Sequence, residues 1–185
     1  MFSLPPLPPS WDGFHPLVVH FPIALLLSAP VLVLMGLLVH RHRHGLNVSA
    51  LVLMLMGTIG VWLSLSTGES AEEWVDEVGA VKSILHDHEE MAEKAWIASI
   101  VATVVFAAYT AVPWMMKREV ARKWTLLAGA LFLAGYVIPC LAVANTAHLG
   151  GRLVHEQGVR GRLTAGGVAE SSGALPRERE EDEGH

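Results

Sequence analysis

The sequence predicts an all-α integral membrane protein, a four-helix bundle, and three observations carry that prediction. Residues 17–39, 46–66, 95–116 and 125–147 form four apolar stretches of 21 to 23 residues, and His20 is the only ionisable Asp, Glu, Lys, Arg or His side chain inside them. About 20 apolar residues suffice for a helix to cross a hydrocarbon core of about 30 Å, where only helices and closed barrels satisfy their own backbone groups. Charged residues make up 17% of the chain, below the roughly 25% of soluble domains, and the mean hydropathy is +0.42. Thirdly, six of the thirteen Lys and Arg sit in the short first and third connections.

Taken in order, residues 1–14 form an N-terminal arm in which Pro5, Pro6, Pro8 and Pro9 favour an extended polyproline-like course. Trp11 and Phe14 fit a headgroup-level aromatic belt. The arm lacks the basic start of a cleavable signal, so the first span is expected to be retained. Pro22 and Pro30 should bend that span, as Pro139 should bend the fourth. The first connection, 40–45, holds Arg41 and Arg43, and the third, 117–123, holds Lys117, Arg118, Arg122 and Lys123 against Glu119 alone. Short basic loops stay in the cytoplasm, which leaves both termini outside a bacterial inner membrane. The second connection, 67–90, carries eight acids and one Lys. Its 70–78 stretch, with Ala71, Trp74, Val75 and Val78 at helical spacing, predicts a short amphipathic helix on the outer face. Small residues, among them Gly57, Gly60, Ala98, Ala102, Ala108, Ala128, Gly129, Ala134 and Gly135, allow close helix approach in lipid. The polar tail 158–185 lacks apolar periodicity and is expected to be disordered. The domain plan is therefore the arm 1–14, a four-span domain 15–157 and the tail.

Composition also excludes chemistry. Cys140 is the only cysteine, so an internal disulfide, a CxxCH haem attachment and cysteine-based zinc or iron–sulfur ligation are ruled out. A net charge of -5 with no long basic stripe argues against nucleic acid. No GxSxG elbow supports serine hydrolysis. His88-Glu89 begins no HExxH motif, since Ala92 stands where the second His belongs.

The histidines are the informative residues. His40, His42 and His44 lie in the first connection, whereas His15, His20, His86, His88, His148 and His155 all fall at the opposite end of the spans. Imidazoles from facing helices are how bundles build metal and cofactor sites. His20 lies within the first span and could ligate or merely bond a neighbouring carbonyl. His15 precedes Pro16 and could simply start the helix. His86 and His88 stand about 200° apart on a helix, so only one can face inward; the spacing of Ala92, Trp96 and Ser99 favours His88. His148 precedes Gly150 and Gly151, which are expected to end the fourth helix and turn the chain back, bringing His155 near. Asn145, one turn before His148, is placed to fix its tautomer.

Three segments, HPLVVHFPIAL at 15–25, TGESAEEW at 67–74 with HDHEEMA at 86–92, and HLGGRLVHEQGV at 148–159, resemble a bacterial membrane family catalogued as domain of unknown function 2231. The resemblance covers roughly residues 15–160. It implies a four-helix membrane domain, joined in some relatives to cytochrome or Rieske-type modules, and it implies that His15, His20, His88, Gly150 and Gly151 belong to the family pattern. His155 matches less closely, because many relatives carry Tyr there.

Two inward imidazoles on different helices can hold a noncovalent b-type haem, and His20 with His88 or His148 is the leading pair. Such a haem would exchange electrons with a quinol or a cytochrome. The competing expectation is a Zn or Cu site built from His15, His20, His88, His148 and His155. A noncatalytic assembly or anchor subunit is the third.

Overall fold

The computed structural model describes residues 7–8, 11–72, 80–116 and 120–159. A 3-10 turn, Asp12–Phe14, leads into helix α1, His15–Val18, and helix α2, His20–Leu38. A second 3-10 turn, His40–His42, precedes α3, Arg43–Glu72; α4, Ala80–Met116, and α5, Arg122–His155, complete the chain. Among the described residues there is no strand. Four segments are long and apolar enough to cross a membrane: His15–Leu38, His40–Ser70, Val81–Pro113 and Arg122–His155.

These helices form two hairpins, α2 packed on α3 and α4 on α5, and contacts of α3 with α4 and of α2 with α5 close the ring. Its core has two layers. Ala29, Val33, Ala50, Met54, Phe106 and Tyr136 make the one nearer the basic connections, and Leu26, Val61, Ala95 and Val143 the one nearer the termini. Glycines set the spacing of α2 from α3 and from α5. A side chain on Gly57 would run into Leu26, one on Gly60 would press on Pro22, and one on Gly129 would run into Leu37. Gly135 differs, because its side-chain position faces open space.

Prolines leave carbonyls that must be satisfied elsewhere. Pro22 has no N–H for the Val18 carbonyl, and the chain breaks into α1 and α2 at Val19. Pro30 likewise strips the Leu26 carbonyl of its helical donor, and the buried Tyr136 hydroxyl of α5 donates to that oxygen at 3.1 Å. A second polar contact joins α3 to α4, where the Thr58 and Thr103 hydroxyls are 2.9 Å apart.

Three local expectations are corrected. The first connection is shorter than 40–45, because α3 begins at Arg43 and takes His44 and Gly45 into its first turn. Residues 70–72 continue α3 rather than starting a separate surface helix; 73–79 lie outside the described residues. Gly150 and Gly151 do not end α5, which runs through them to His155. His88 occupies the space beside Gly150, and the chain turns only three residues after the helix end, at Gly158, whose φ is +71°. There the Val159 N–H reaches back six residues to the Leu153 carbonyl at 3.0 Å.

Candidate functional site

The end of the bundle that carries the termini holds two imidazoles in matching settings. His15, at the start of α1, is half-buried against α3; its Nδ1 lies 3.0 Å from the Ser64 carbonyl oxygen and 3.1 Å from Thr67 Oγ1. His88 of α4 is half-buried against α5, its Nδ1 3.0 Å from the Thr146 carbonyl oxygen. A carbonyl oxygen can only accept, so each Nδ1 carries the proton and donates it. The buried Thr67 hydroxyl is itself directed to the Leu63 and Ser64 carbonyls, at 3.0 Å each, and is free to accept from His15.

With the tautomer fixed, each Nε2 presents a lone pair. Among the described residues neither Nε2 meets a protein hydrogen-bond partner. The rings lie within electrostatic reach of one another, and the half-buried Glu89 is within reach of His88. By helical rise, His15 sits about 3 Å and His88 about 10 Å beyond the start of its apolar stretch. The pair therefore belongs to the boundary of the apolar belt, not its middle.

The two settings repeat one device. Gly68 follows Ser64 by one helical turn and lies under the His15 ring; Gly150 follows Thr146 by one turn and lies under the His88 ring. A Cβ on Gly68 would come within 3.3 Å of His15 Cε1, and one on Gly150 within 3.1 Å of His88 Cε1. In each hairpin, then, the first-span His packs its Cε1 side against a glycine of the second span. It donates to the carbonyl one turn earlier. The repeat leaves little in the sequence, because the acceptors are backbone atoms; the four-residue spacing Ser64 to Gly68 and Thr146 to Gly150 is its trace.

The remaining expected site residues stand apart from this pair. His20 is exposed on the outside of α2, and its Nδ1–H donates to the Pro16 carbonyl of its own helix at 2.9 Å. Five residues separate it from His15, about 140° around a helix, so the two cannot share a face. His148, Asn145 and His155 are exposed on α5, and His86 is exposed on α4. His155 is not carried back towards His148, since no turn intervenes. Among the described residues no three His, Cys, Asp or Glu side chains converge to hold a metal ion. Sequence reasoning missed Ser64, Thr67 and Gly68, which have no chemistry of their own to announce them.

Fold and site together define a four-span helical membrane protein with paired imidazoles at one end of the bundle. A family model described as "Predicted membrane protein (DUF2231)" matches residues 12–162, and the chain belongs to that family. No curated protein and no solved structure matches it.

Proposed function

We propose that the protein is an electron-transfer subunit that binds one noncovalent b-type haem through His15 and His88. The observation that carries this reading is the pair of matched ring settings. Both Nδ1–H groups are committed to backbone carbonyls, so each Nε2 is left as a base able to take a ligand. Two imidazoles suit an electron-transfer haem, whereas a structural or catalytic zinc calls for three or four protein ligands. The donor set therefore fits haem better than zinc. Bound there, the haem would supply one-electron chemistry. The chain's own part is to hold both rings in one tautomer, to pack them against Gly68 and Gly150 so that they cannot swing, and to keep the site at the edge of the apolar belt. Glu89 adds a carboxylate near His88, which favours the oxidised, more positive state of an iron site.

The orientation belongs to the same proposal. Arg41, Arg43, Arg122 and Lys123 all lie at the opposite end, which favours a cytoplasmic location for that end. The imidazole pair then faces the outside of a bacterial inner membrane, where a quinol or a soluble cytochrome is the expected electron donor or acceptor.

The test is a reduced-minus-oxidised visible spectrum of the full chain, expressed with ample haem and purified in mild detergent, alongside total metal analysis. His15→Ala and His88→Ala should each abolish the Soret and alpha bands, while His20→Ala and His148→Ala should keep them. A wild-type protein without porphyrin sinks the haem reading. Copper bound to the same two nitrogens is the second reading, favoured by an imidazole-only donor set. Stoichiometric copper lost in His15→Ala would select it. Neither cofactor in a folded protein would leave the assembly or anchor role.

A further inference from the structure

At the end of the bundle away from the imidazole pair, a cleft of about 1420 Å³ runs along α4 and α5 and reaches the first turn of α3. Small-molecule clefts span about 300–1,000 Å³, so this one suits a larger occupant. Its walls are apolar and open on the side of the exposed Val101, Val105 and Ile138. From Ala98 to Pro113 it extends about 22 Å by helical rise, longer than the roughly 15 Å that one leaflet's acyl chains occupy. Gly135 helps keep it open, since nothing stands within 4 Å of its side-chain position.

The mouth is polar and cationic. Arg43 lines it, half-buried, with His40 and His44 beside it. Among the described residues no carboxylate pairs with Arg43, and the ion pairs Lys94–Glu90 and Arg152–Glu156 are both elsewhere. Asn47, 7% exposed, also lines the mouth; its unpartnered Oδ1 packs against Gly36 of α2, and as an acceptor it takes no part in holding a phosphate. The Tyr109 hydroxyl donates to the Thr125 carbonyl at 3.3 Å and closes the polar rim. An uncompensated guanidinium at the end of an apolar channel is the complement of a phosphodiester carrying hydrocarbon chains. Arg meets phosphate oxygens with two parallel N–H donors, and basic pockets between membrane helices hold anionic headgroups.

We propose that this cleft is a binding site for an anionic phospholipid, its phosphate on Arg43 and its acyl chains between α4 and α5. The proposal is independent of what His15 and His88 hold.

Native mass spectrometry of the full chain, released from mild detergent with either dioleoyl phosphatidylglycerol or dioleoyl phosphatidylcholine, tests it. The wild type should retain the glycerol lipid about fivefold better, the factor that about 1 kcal/mol for one basic residue implies. Arg43→Gln should erase that preference, and Arg152→Gln, at the other end, should leave it intact. Gly135→Leu, whose Cβ meets nothing within 4 Å, puts a side chain into the open space and should weaken retention of both lipids. Equal retention of the two lipids by the wild type, or an undiminished preference in Arg43→Gln, overturns the proposal. So does a native dimer that Gly135→Leu dissociates while adducts persist, since a second copy would then be the occupant.

Discussion

Two adjacent glycines of α5 separate the imidazole setting from ordinary helix energetics. Gly150→Ala and Gly151→Ala remove the same backbone freedom from the unfolded chain, a gain of about 0.4–1 kcal/mol where the new methyl fits. At Gly151 it fits, with nothing within 4 Å. At Gly150 the new Cβ would stand 3.1 Å from His88 Cε1 and 3.6 Å from Nδ1, tighter than ordinary contact from 3.4 Å. The ring must then retreat by about 0.3 Å. A retreat of that size takes the 3.0 Å Nδ1–H bond to the Thr146 carbonyl just past the 2.7–3.2 Å range. Overpacking costs about 1–3 kcal/mol, and a weakened hydrogen bond adds up to about 1 kcal/mol. Gly151→Ala should therefore stabilise the protein, and Gly150→Ala should fall about 1–3 kcal/mol below it. Reversible unfolding in mixed micelles reads the difference. In a His88→Ala background the clash is gone, and the two alanine variants should converge. Equal shifts in the wild-type background, or a gap that survives removal of the ring, would refute the idea that His88 is held against Gly150.

Other contacts make separate predictions. Tyr136→Phe should cost about 1–3 kcal/mol by leaving the buried Leu26 carbonyl unpaired, and Pro30→Ala in that background should restore part of it by returning a helical N–H, both read by the same unfolding curves. The Thr58→Val and Thr103→Val double-mutant cycle should give a coupling of about 0.6 kcal/mol, the average for side-chain hydrogen bonds between membrane helices. His20→Ala should shift stability by less than about 0.5 kcal/mol, whereas His15→Ala, which strips the Ser64 carbonyl and Thr67 of a donor, should cost about 1 kcal/mol.

How far the sequence discloses this molecule depends on the kind of signal each feature needs. The spans are written in charge-free length, and all four apolar stretches reappear in helices fit to cross a membrane. The helices run past those stretches, because α3, α4 and α5 continue into polar residues such as Glu69, His86 and Arg152. Hydropathy marks where lipid begins and says nothing of where a helix ends. His88 was legible because its helical neighbours Ala92, Trp96 and Ser99 define a face. His20 attracted attention through depth, yet depth does not fix azimuth, and its face is the outer one. The glycines at 150 and 151 read as a stop because glycine ends helices more often than it serves as a seat for a ring.

The seat itself was the illegible part, and the reason is physical. A histidine is oriented by whatever accepts its Nδ1 proton, and in both hairpins that acceptor is a carbonyl every residue type possesses. What makes the carbonyl reachable is an absent side chain one turn later, at Gly68 and at Gly150. A site built from backbone oxygen and missing volume leaves only His and Gly on the page, 53 residues apart in the first hairpin and 62 in the second, with the helix pairing needed to join them. Once the hairpins are paired, the same four-residue interval appears in each. The pair then follows from two copies of a single packing rule, one in each hairpin, and no residue deeper in the membrane is required to explain how each imidazole is held.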